Sequence, residues 1–139
     1  HTAYRRQRQM CIRDRLKEHQ PALWIASPIL KVVDGALPYL QPLHPLISAW
    51  NPNRENAYYL YGGRWPAQPV SPAGLDYDEL YGRSANQERL VGGKGTRLTN
   101  NDWVFLRPAI SEGVLGDFSE IRLLRRGQLV GRWSTIGNS

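Results

Sequence analysis

Short runs of apolar and β-branched residues, separated by turn signals, make up most of the chain. The stretch 22–33 is apolar and ends at Asp34-Gly35, a typical turn dipeptide, so it predicts one strand. Pro28 lies inside this stretch, and proline within a strand favours an edge position or a bulge. Residues 57–61 predict a second strand, which ends at Gly62-Gly63.

The C-terminal part of the chain has the clearest alternation of apolar and polar positions. Residues 103–106 predict a strand that follows a turn at 99–102 and ends at Pro108. Residues 120–124 and 128–133, joined by Arg125-Arg126-Gly127, predict a hairpin with one solvated face. No apolar pattern with a period of about 3.6 residues extends beyond two turns, so long helices are not expected.

Two proline-rich stretches, 36–56 and 64–85, predict long loops, with at most one helical turn at 46–50 and a turn at 76–80. Loops of this length are usually functional or belong to an interface. The pattern as a whole predicts an all-β fold, a small barrel or sandwich with long Pro-rich loops that packs against a structure absent from this chain. The two loops contain residue types that are common in protein–protein contacts: Trp50, Arg54, Trp65, Tyr77 and Tyr81.

The composition describes one ordinary globular domain of 139 residues, with 41% hydrophobic and 22% charged residues. No apolar run is as long as a membrane span requires, and the N-terminus lacks the order of a signal peptide, so we expect a cytoplasmic location. The net charge of +6 is uneven, because residues 1–15 hold five of the 18 basic side chains and one of the 12 acidic ones. The remaining residues therefore carry a net charge of only about +2, whereas a nucleic-acid-binding domain is expected to show a basic stripe.

The basic N-terminal tail has an explanation outside protein function. Residues 10–14, Met-Cys-Ile-Arg-Asp, resemble the translation of a sequencing-adapter oligonucleotide. We therefore expect residues 1–15 to be an artefactual or disordered tail, and residues 16–139 to be the β domain; a basic arm that binds nucleic acid is the alternative. The tail contains Cys11, the only cysteine, so the sequence predicts no disulfide and no thiolate chemistry.

The residues alone predict no self-sufficient catalytic set. The segment 92–95, Gly-Gly-Lys-Gly, lacks the Ser or Thr and the following helix of a phosphate-binding loop, so it predicts a turn. Asp76, Asp78 and Glu79 predict a solvated acidic turn rather than a cation site, which needs six or more oxygen ligands. Ser111 has no nearby histidine that could complete a catalytic triad.

Several segments, in order, resemble the C-terminal domain of the D-serine dehydratase and D-threonine aldolase family, whose members are also described as D-serine deaminase-like or alanine racemase-like proteins. Each segment is short, and their order and spacing carry the resemblance over nearly all of residues 16–139. The segments are 20–25 (QPALWI), 61–65 (YGGRW), 81–88 (YGRSANQE), 105–112 (FLRPAISE) and 127–133 (GQLVGRW).

This resemblance implies a fragment of a two-domain enzyme of fold-type III. In that family an N-terminal (β/α)8 barrel holds pyridoxal phosphate on a lysine, a C-terminal β domain closes the active site, and the enzyme is usually a homodimer. The lysine is then expected upstream of residue 16, because Lys17, Lys31 and Lys94 do not lie where the family places it. The implied function is a lyase, a dehydratase or aldolase, acting on D-amino acids such as D-serine or D-threonine, and inactive as this fragment.

The resemblance also implies positions for the site residues. The family has a metal-binding His, followed two positions later by Cys or Asp, where this chain has Ile110 and Glu112. Glu112 could ligate a divalent cation or act as an acid or base, but Ile110 has no ligand atom, which argues against the usual metal site. The family has a Gln-Glu-His or similar triplet near the active site, and here Arg89 stands in place of the His. The residues expected nearest the substrate are Ser111, Glu112, Gln87 and Glu88.

Two other functions remain open from the sequence. A small β-barrel could bind a protein, or could stack single-stranded nucleic acid on Trp, Tyr and Arg side chains, with strongly salt-dependent affinity. An amino-acid racemase on the same scaffold would need a second acid or base opposite the cofactor lysine.

Overall fold

The structure is a computed structural model that describes residues 20–34 and 55–135, and only the backbone of Ser111 and Glu112. The tail 1–15, Lys17, the helical turn expected at 46–50, Trp50 and Arg54 lie outside the described residues. The described elements are β1 (Ile25–Asp34), β2 (Asn56–Leu60), β3 (Ala67–Ser71), β4 (Leu75–Tyr77), β5 (Arg89–Gly92), β6 (Trp103–Pro108), α1 (Ser111–Leu115), β7 (Glu120–Arg125) and β8 (Gln128–Ser134).

Six strands form one antiparallel sheet in the order β3-β6-β1-β2-β5-β4. The two edge strands, β3 and β4, are consecutive in the chain, and the Tyr77 hydroxyl on β4 donates a hydrogen bond of 2.8 Å to the Ala67 carbonyl on β3. This contact draws the edges together, so the sheet is a nearly closed barrel. The all-β fold predicted from the sequence is confirmed.

The barrel interior is filled by alternate residues of its strands, as the period of two in a β-strand requires. On β6, Val104 and Leu106 are buried while Trp103 and Phe105 are exposed. The other large apolar side chains that are fully buried are Ile29, Tyr58, Leu60 and Leu90, together with Val114 from α1.

Pro28 marks a change of pairing partner rather than an edge. β1 is central, because it pairs with β6 over residues 25–28 and with β2 from Ile29 onward. The edge position that Pro28 suggested is therefore wrong, and the irregularity that it also suggested lies two residues later, where Leu30 forms a bulge between Ile29 and Lys31. A bulge turns a side chain out of the regular alternation. Here Leu30 points outward and is exposed.

The prediction of a loop throughout 64–85 was wrong, because this stretch contains β3 and β4. Both are edge strands of the sheet, and an edge strand tolerates proline because one side of its backbone donates no ladder hydrogen bond. Pro69 lies in β3, next to an irregularity in its pairing with β6. The turns expected at 92–95 and 99–102 are present, with hydrogen bonds from the Thr96 N–H to the Gly93 carbonyl (2.9 Å) and from the Asp102 N–H to the Thr99 carbonyl (3.2 Å).

The predicted hairpin is present as a separate two-stranded sheet, β7–β8. Arg126 and Gly127 connect the strands with φ values of 50° and 77°, as a two-residue hairpin turn with two left-handed residues requires. The expectation of one solvated face understated its exposure, since every residue of β8 is exposed. Phe118, just before β7, packs on Trp65 with ring centroids 5.6 Å apart, and both side chains lie against the barrel core. None of the helices in the described ranges is long and apolar enough for a membrane crossing.

Candidate functional site

A cavity of about 620 Å³ opens on the outside of the barrel, beside the bulge in β1. Leu30 is the side chain that the bulge turns outward, and Tyr59 lies next to it on β2. The opposite wall comes from the loop that leads from β4 into β5. We call this the tyrosine cavity, and its described lining residues are Leu30, Tyr59, Tyr61, Tyr81, Gly82, Ser84, Asn86, Gln87 and Arg89.

The loop is fastened to the end of β2 by backbone hydrogen bonds. The Gly62 N–H donates to the Asn86 carbonyl (2.9 Å), and the Glu88 N–H donates to the Gly62 carbonyl (2.8 Å). Gly62 and Gln87 form an isolated parallel bridge. These bonds bring Tyr61 and Gln87 to the same cavity, although the sequence separates them widely.

Glu88 is the buried anchor of the loop, with only 1% of its surface exposed. Its Oε2 accepts hydrogen bonds from the Arg64 N–H (2.7 Å) and the Arg83 Nε–H (2.8 Å), and its Oε1 accepts one of 3.3 Å from the Ser84 N–H. A carboxylate with this many donors is held in one orientation. Glu88 therefore fixes the shape of the cavity wall, and it is not among the described residues that line the cavity.

Gly63 is required for this close approach of the loop. Its φ is +153°, and a Cβ atom at this position would lie 2.3 Å from the Ser84 carbonyl oxygen and 2.6 Å from the Glu88 Cβ. Only glycine lets the two backbones meet here without displacement. The Gly-Gly pair after β2, which the sequence marked only as the end of a strand, is thus part of the site.

Arg89, one of the lining residues, forms a buried ion pair with Asp78, which is not among them. The Arg89 Nη1 lies 2.7 Å from the Asp78 Oδ2, and the side chains are 4% and 1% exposed. The Arg89 guanidinium stacks on the Tyr81 ring at 4.0 Å from its centroid and lies 5.8 Å from that of Tyr59. The expectation that Asp78 belongs to a solvated turn was therefore wrong; Asp76 and Glu79 are exposed as expected.

A second cation–π contact stabilises the loop between β4 and β5. The Arg83 guanidinium lies 3.7 Å from the centroid of the Tyr77 ring, and it also donates a hydrogen bond of 2.8 Å to the Trp65 carbonyl. Burial raises the pKa of Tyr77 to about 12, against a usual value of 10.0. Trp65 and Tyr77, which the sequence suggested for an interface, thus pack inward, whereas Tyr81 is 49% exposed at the cavity.

The four predicted site residues fall in two places. Gln87 lines the cavity, and Glu88 lies directly behind it. The backbone of Ser111 and Glu112 lies in the first turn of α1. The segment before α1 is tied to the loop after β2 by a hydrogen bond of 2.7 Å from the Ala109 N–H to the Pro66 carbonyl.

The sequence missed Tyr59, and it named Tyr81 and Arg89 without showing that they meet. These three residues come from three segments, and only the fold brings them together. The signal for Arg89 was its buried position next to Leu90 and Val91, where an arginine needs a partner. Asp78 is that partner, but the sequence does not show which of the three nearby acidic residues takes the role.

The described residues do not fit the cofactor and the metal that the resemblance implies. Lys31 and Lys94 are exposed and do not line the cavity, so no described lysine is placed to hold pyridoxal phosphate there. No group of three or more His, Cys, Asp or Glu in the described ranges could hold a metal ion, and Ile110 is an exposed apolar side chain. Any such group would have to be held by residues outside the described part of the chain.

The chain gave no significant match when compared with protein-family models, with curated proteins and with solved structures.

Proposed function

We propose that this chain is the C-terminal β domain of a pyridoxal-phosphate-dependent lyase that acts on D-amino acids such as D-serine or D-threonine. The proposal includes an N-terminal barrel domain that carries the cofactor lysine, a homodimeric enzyme and a cytoplasmic location. Alone, the chain has no catalytic activity under this proposal.

The observation that carries the proposal is the meeting in space of segments that resemble the family. Residues 61–65 and 81–88 are joined by the bonds around Gly62 and Glu88. The segment 105–112 reaches the same region through the bond between Ala109 and Pro66. Two of the five segments, 61–65 and 81–88, thus contribute lining residues to one cavity, which supports the proposal.

Exposed aromatic side chains support packing against another domain. Trp103 and Phe105 on β6 are 54% and 36% exposed, and Trp24, just before β1, is 42% exposed. The register of β1 and β6 places Trp103 beside Pro28 and Phe105 beside Ala26, on the outer face of the barrel. Large exposed apolar surfaces on a folded domain are typical of interaction sites.

Within such an enzyme the cofactor would act as an electron sink, and the protein would supply orientation and electrostatics. The tyrosine cavity is the concave surface that this domain would turn toward the N-terminal (β/α)8 barrel domain. Gln87 would face the substrate there with an amide that can both donate and accept hydrogen bonds. Glu88 would hold Gln87 in place through its bonds to Arg64, Arg83 and Ser84.

The test is an assay of the full-length gene product with D-serine, D-threonine and their L-enantiomers. A dehydratase converts D-serine to pyruvate and ammonia, an aldolase cleaves D-threonine to glycine and acetaldehyde, and a racemase forms the L-enantiomer. We expect lyase products from the D-substrates only, and a loss of about tenfold or more in kcat/KM for Gln87→Ala.

The matched control is Gln68→Ala, an exposed glutamine on β3 that does not line the cavity. It is expected to leave kcat/KM unchanged. Formation of the L-enantiomer would show that the enzyme is a racemase and not a lyase. A folded, cofactor-loaded protein that does not turn over any of these substrates would overturn the proposal.

A nucleic-acid-binding module is the second candidate, and the β7–β8 hairpin favours it. This hairpin combines an exposed Trp133 with four arginines, of which Arg122 and Arg132 contact Glu120. Aromatic and arginine side chains together can stack single-stranded bases. Residues 16–139 would then bind single-stranded DNA with an affinity that falls steeply with salt, and binding that is absent at low salt would exclude this function.

A further inference from the structure

The β7–β8 hairpin has an open edge. In the part of the chain that the structure describes, β8 pairs with β7 alone, and every residue of β8 is exposed. A strand with one antiparallel neighbour directs alternate N–H and C=O groups to its open side. A hairpin of two strands is only marginally stable in water, and a third strand is usually needed. The backbone of β8 is therefore available to pair with another strand.

The register of the hairpin gives it two different faces. Ile121 and Leu123 of β7 lie on the same face as Trp133 of β8, since side chains alternate between the faces of a sheet. Arg122 lies directly opposite Arg132, on the other face. A strand added beside β8 would therefore meet apolar side chains on one face and cationic side chains on the other.

The cationic face has fewer carboxylates than arginines. Like charges directly opposite each other in a sheet are unfavourable, and Glu120 alone is shared by the opposed pair. Its Oε1 lies 2.5 Å from the Arg122 Nη2, and its Oε2 lies 3.6 Å from the Arg132 Nη1. Residues 120–134 contain four arginines and this one glutamate, which gives a net charge of +3. Both guanidinium groups are exposed and have five N–H donors each, so they can take further carboxylates.

We propose that β8 binds an extended segment of another protein, in which acidic and apolar residues alternate. The segment adds a third strand to the hairpin, and backbone hydrogen bonds hold it in place. Its carboxylates lie on the face of Arg122 and Arg132, and its apolar side chains lie on the face of Trp133. This site uses neither the tyrosine cavity nor pyridoxal phosphate, so its test is independent of the lyase function.

A protein strand fits this edge better than a nucleic acid does. Trp133 is the only aromatic residue of the hairpin, so it offers a single ring on which a base could stack. The other strongly exposed apolar side chains are the aliphatic Leu124, Leu129 and Val130. Aliphatic side chains and an open strand edge match the side chains and backbone of a second β-strand.

The binding test uses the full chain and three synthetic peptides as long as β8. The first alternates glutamate and valine, the second has the same residues in two blocks, and the third is the first with every backbone N–H methylated. Titrations followed by two-dimensional amide NMR report both the affinity and the residues that shift. We expect the alternating peptide to shift the amides of β8 with a Kd on the order of 100 µM. The block peptide is expected to bind at least about fivefold more weakly, and the methylated peptide not to bind.

Two double variants with the same chemical change separate the hairpin from the rest of the chain. Arg122→Gln/Arg132→Gln removes the opposed arginines, and Arg97→Gln/Arg107→Gln removes two exposed arginines outside the hairpin. All four side chains are exposed, so both proteins are expected to fold. We expect the hairpin variant to bind the alternating peptide about fivefold more weakly, as the loss of two exposed ion pairs implies, and the control to bind it unchanged.

Several results would overturn the proposal. Shifts confined to residues outside β7 and β8 would place the bound peptide elsewhere, and so would equal effects of the two double variants. Equal affinity for all three peptides would show a contact by charge alone, without strand pairing. Amide signals of β8 that move with the concentration of the chain itself would assign the edge to a second copy. Displacement of the peptide by an equal concentration of single-stranded DNA at physiological salt would assign the hairpin to nucleic acid.

Discussion

The buried pair of Asp78 and Arg89 allows a prediction with a worked magnitude. The two side chains are almost fully buried and lie 2.7 Å apart. Asp78 also accepts a hydrogen bond of 3.0 Å from the Leu80 N–H through its Oδ1. Replacement of Asp78 by Asn keeps an oxygen for Leu80 and removes the charge. Replacement of Arg89 by Met keeps most of the length of the side chain and removes the opposite charge.

Each single variant leaves one buried charge without its ionic partner, which typically costs about 3–5 kcal/mol. Arg89→Met also loses the stacking on Tyr81, worth about 1 kcal/mol. In the double variant Asp78→Asn/Arg89→Met no buried charge of this pair remains. We therefore expect the double variant to be destabilised by only about 1–2 kcal/mol, less than either single variant.

The measurement is urea unfolding of the unsubstituted chain, the two single variants and the double variant, monitored by tryptophan fluorescence. The free energy of unfolding is obtained by linear extrapolation to zero urea. Glu55→Gln is the control, since it removes an ion pair of 3.7 Å to Lys94, which is 79% exposed, and is expected to cost less than about 1 kcal/mol. Additive effects of the two single substitutions, each below about 1 kcal/mol, would refute the burial and coupling of this pair.

Three further predictions concern the neighbouring residues. Glu88→Ala removes the acceptor of three donors and is expected to lower the free energy of unfolding by about 3 kcal/mol. Glu88→Gln keeps an acceptor oxygen and is expected to cost roughly half as much. Equal losses for the two variants in urea unfolding would contradict this role of Glu88. Gly63→Ala brings a Cβ atom into the Ser84 carbonyl and is expected to cost at least about 3 kcal/mol of stability. The control Gly82→Ala, at a φ of +69° with nothing within 4 Å of the new Cβ atom, is expected to cost about 1 kcal/mol. Thermal unfolding compares the two variants, and a larger loss for Gly82→Ala would be inconsistent with the close approach at Gly63. Burial raises the pKa of Tyr77 to about 12 in the folded chain, so its stabilising contribution is complete below pH 10 and is lost as the pH rises toward 12. Between these pH values the free energy of unfolding should therefore fall less steeply in Tyr77→Phe than in the unsubstituted chain. Identical slopes would argue against the buried phenol.

Local patterns were enough to predict the fold class and several elements. The hairpin β7–β8 was found because its apolar and charged residues alternate on both sides of a glycine turn. The strands β1, β2 and β6 were found because each is an apolar run bounded by glycine, proline or Asp-Gly. These signals are contained in a few consecutive residues, so no tertiary information is needed to read them.

The strands β3 and β4 could not be found in this way. Pro69 and Pro72 argued for a loop, and only the position of these strands at the two edges of the sheet makes proline acceptable. The burial of Asp78 was also missed, because it depends on Arg89, which arrives from the next strand of the sheet.

The cavity itself depends on the arrangement of the strands. Leu30 faces it because of a bulge that Pro28 suggested but did not place, and Tyr81 reaches it because Glu88 and Gly63 hold the loop against β2. Gln87 and Glu88 were expected near a substrate only from the resemblance to a family, and that role stays a prediction. The resemblance did not separate the two residues, whereas in the structure Gln87 lines the cavity and Glu88 supports its wall.

The most direct test of the proposed lyase is to find the residue that holds its cofactor. The full-length protein would be reduced with borohydride, which fixes pyridoxal phosphate to its lysine, and the modified peptide would be identified by mass spectrometry. The account predicts a modified lysine N-terminal to residue 16, and a colourless, unmodified chain when residues 16–139 are treated alone. A modified Lys31 or Lys94, or a full-length protein that binds no pyridoxal phosphate, would contradict it.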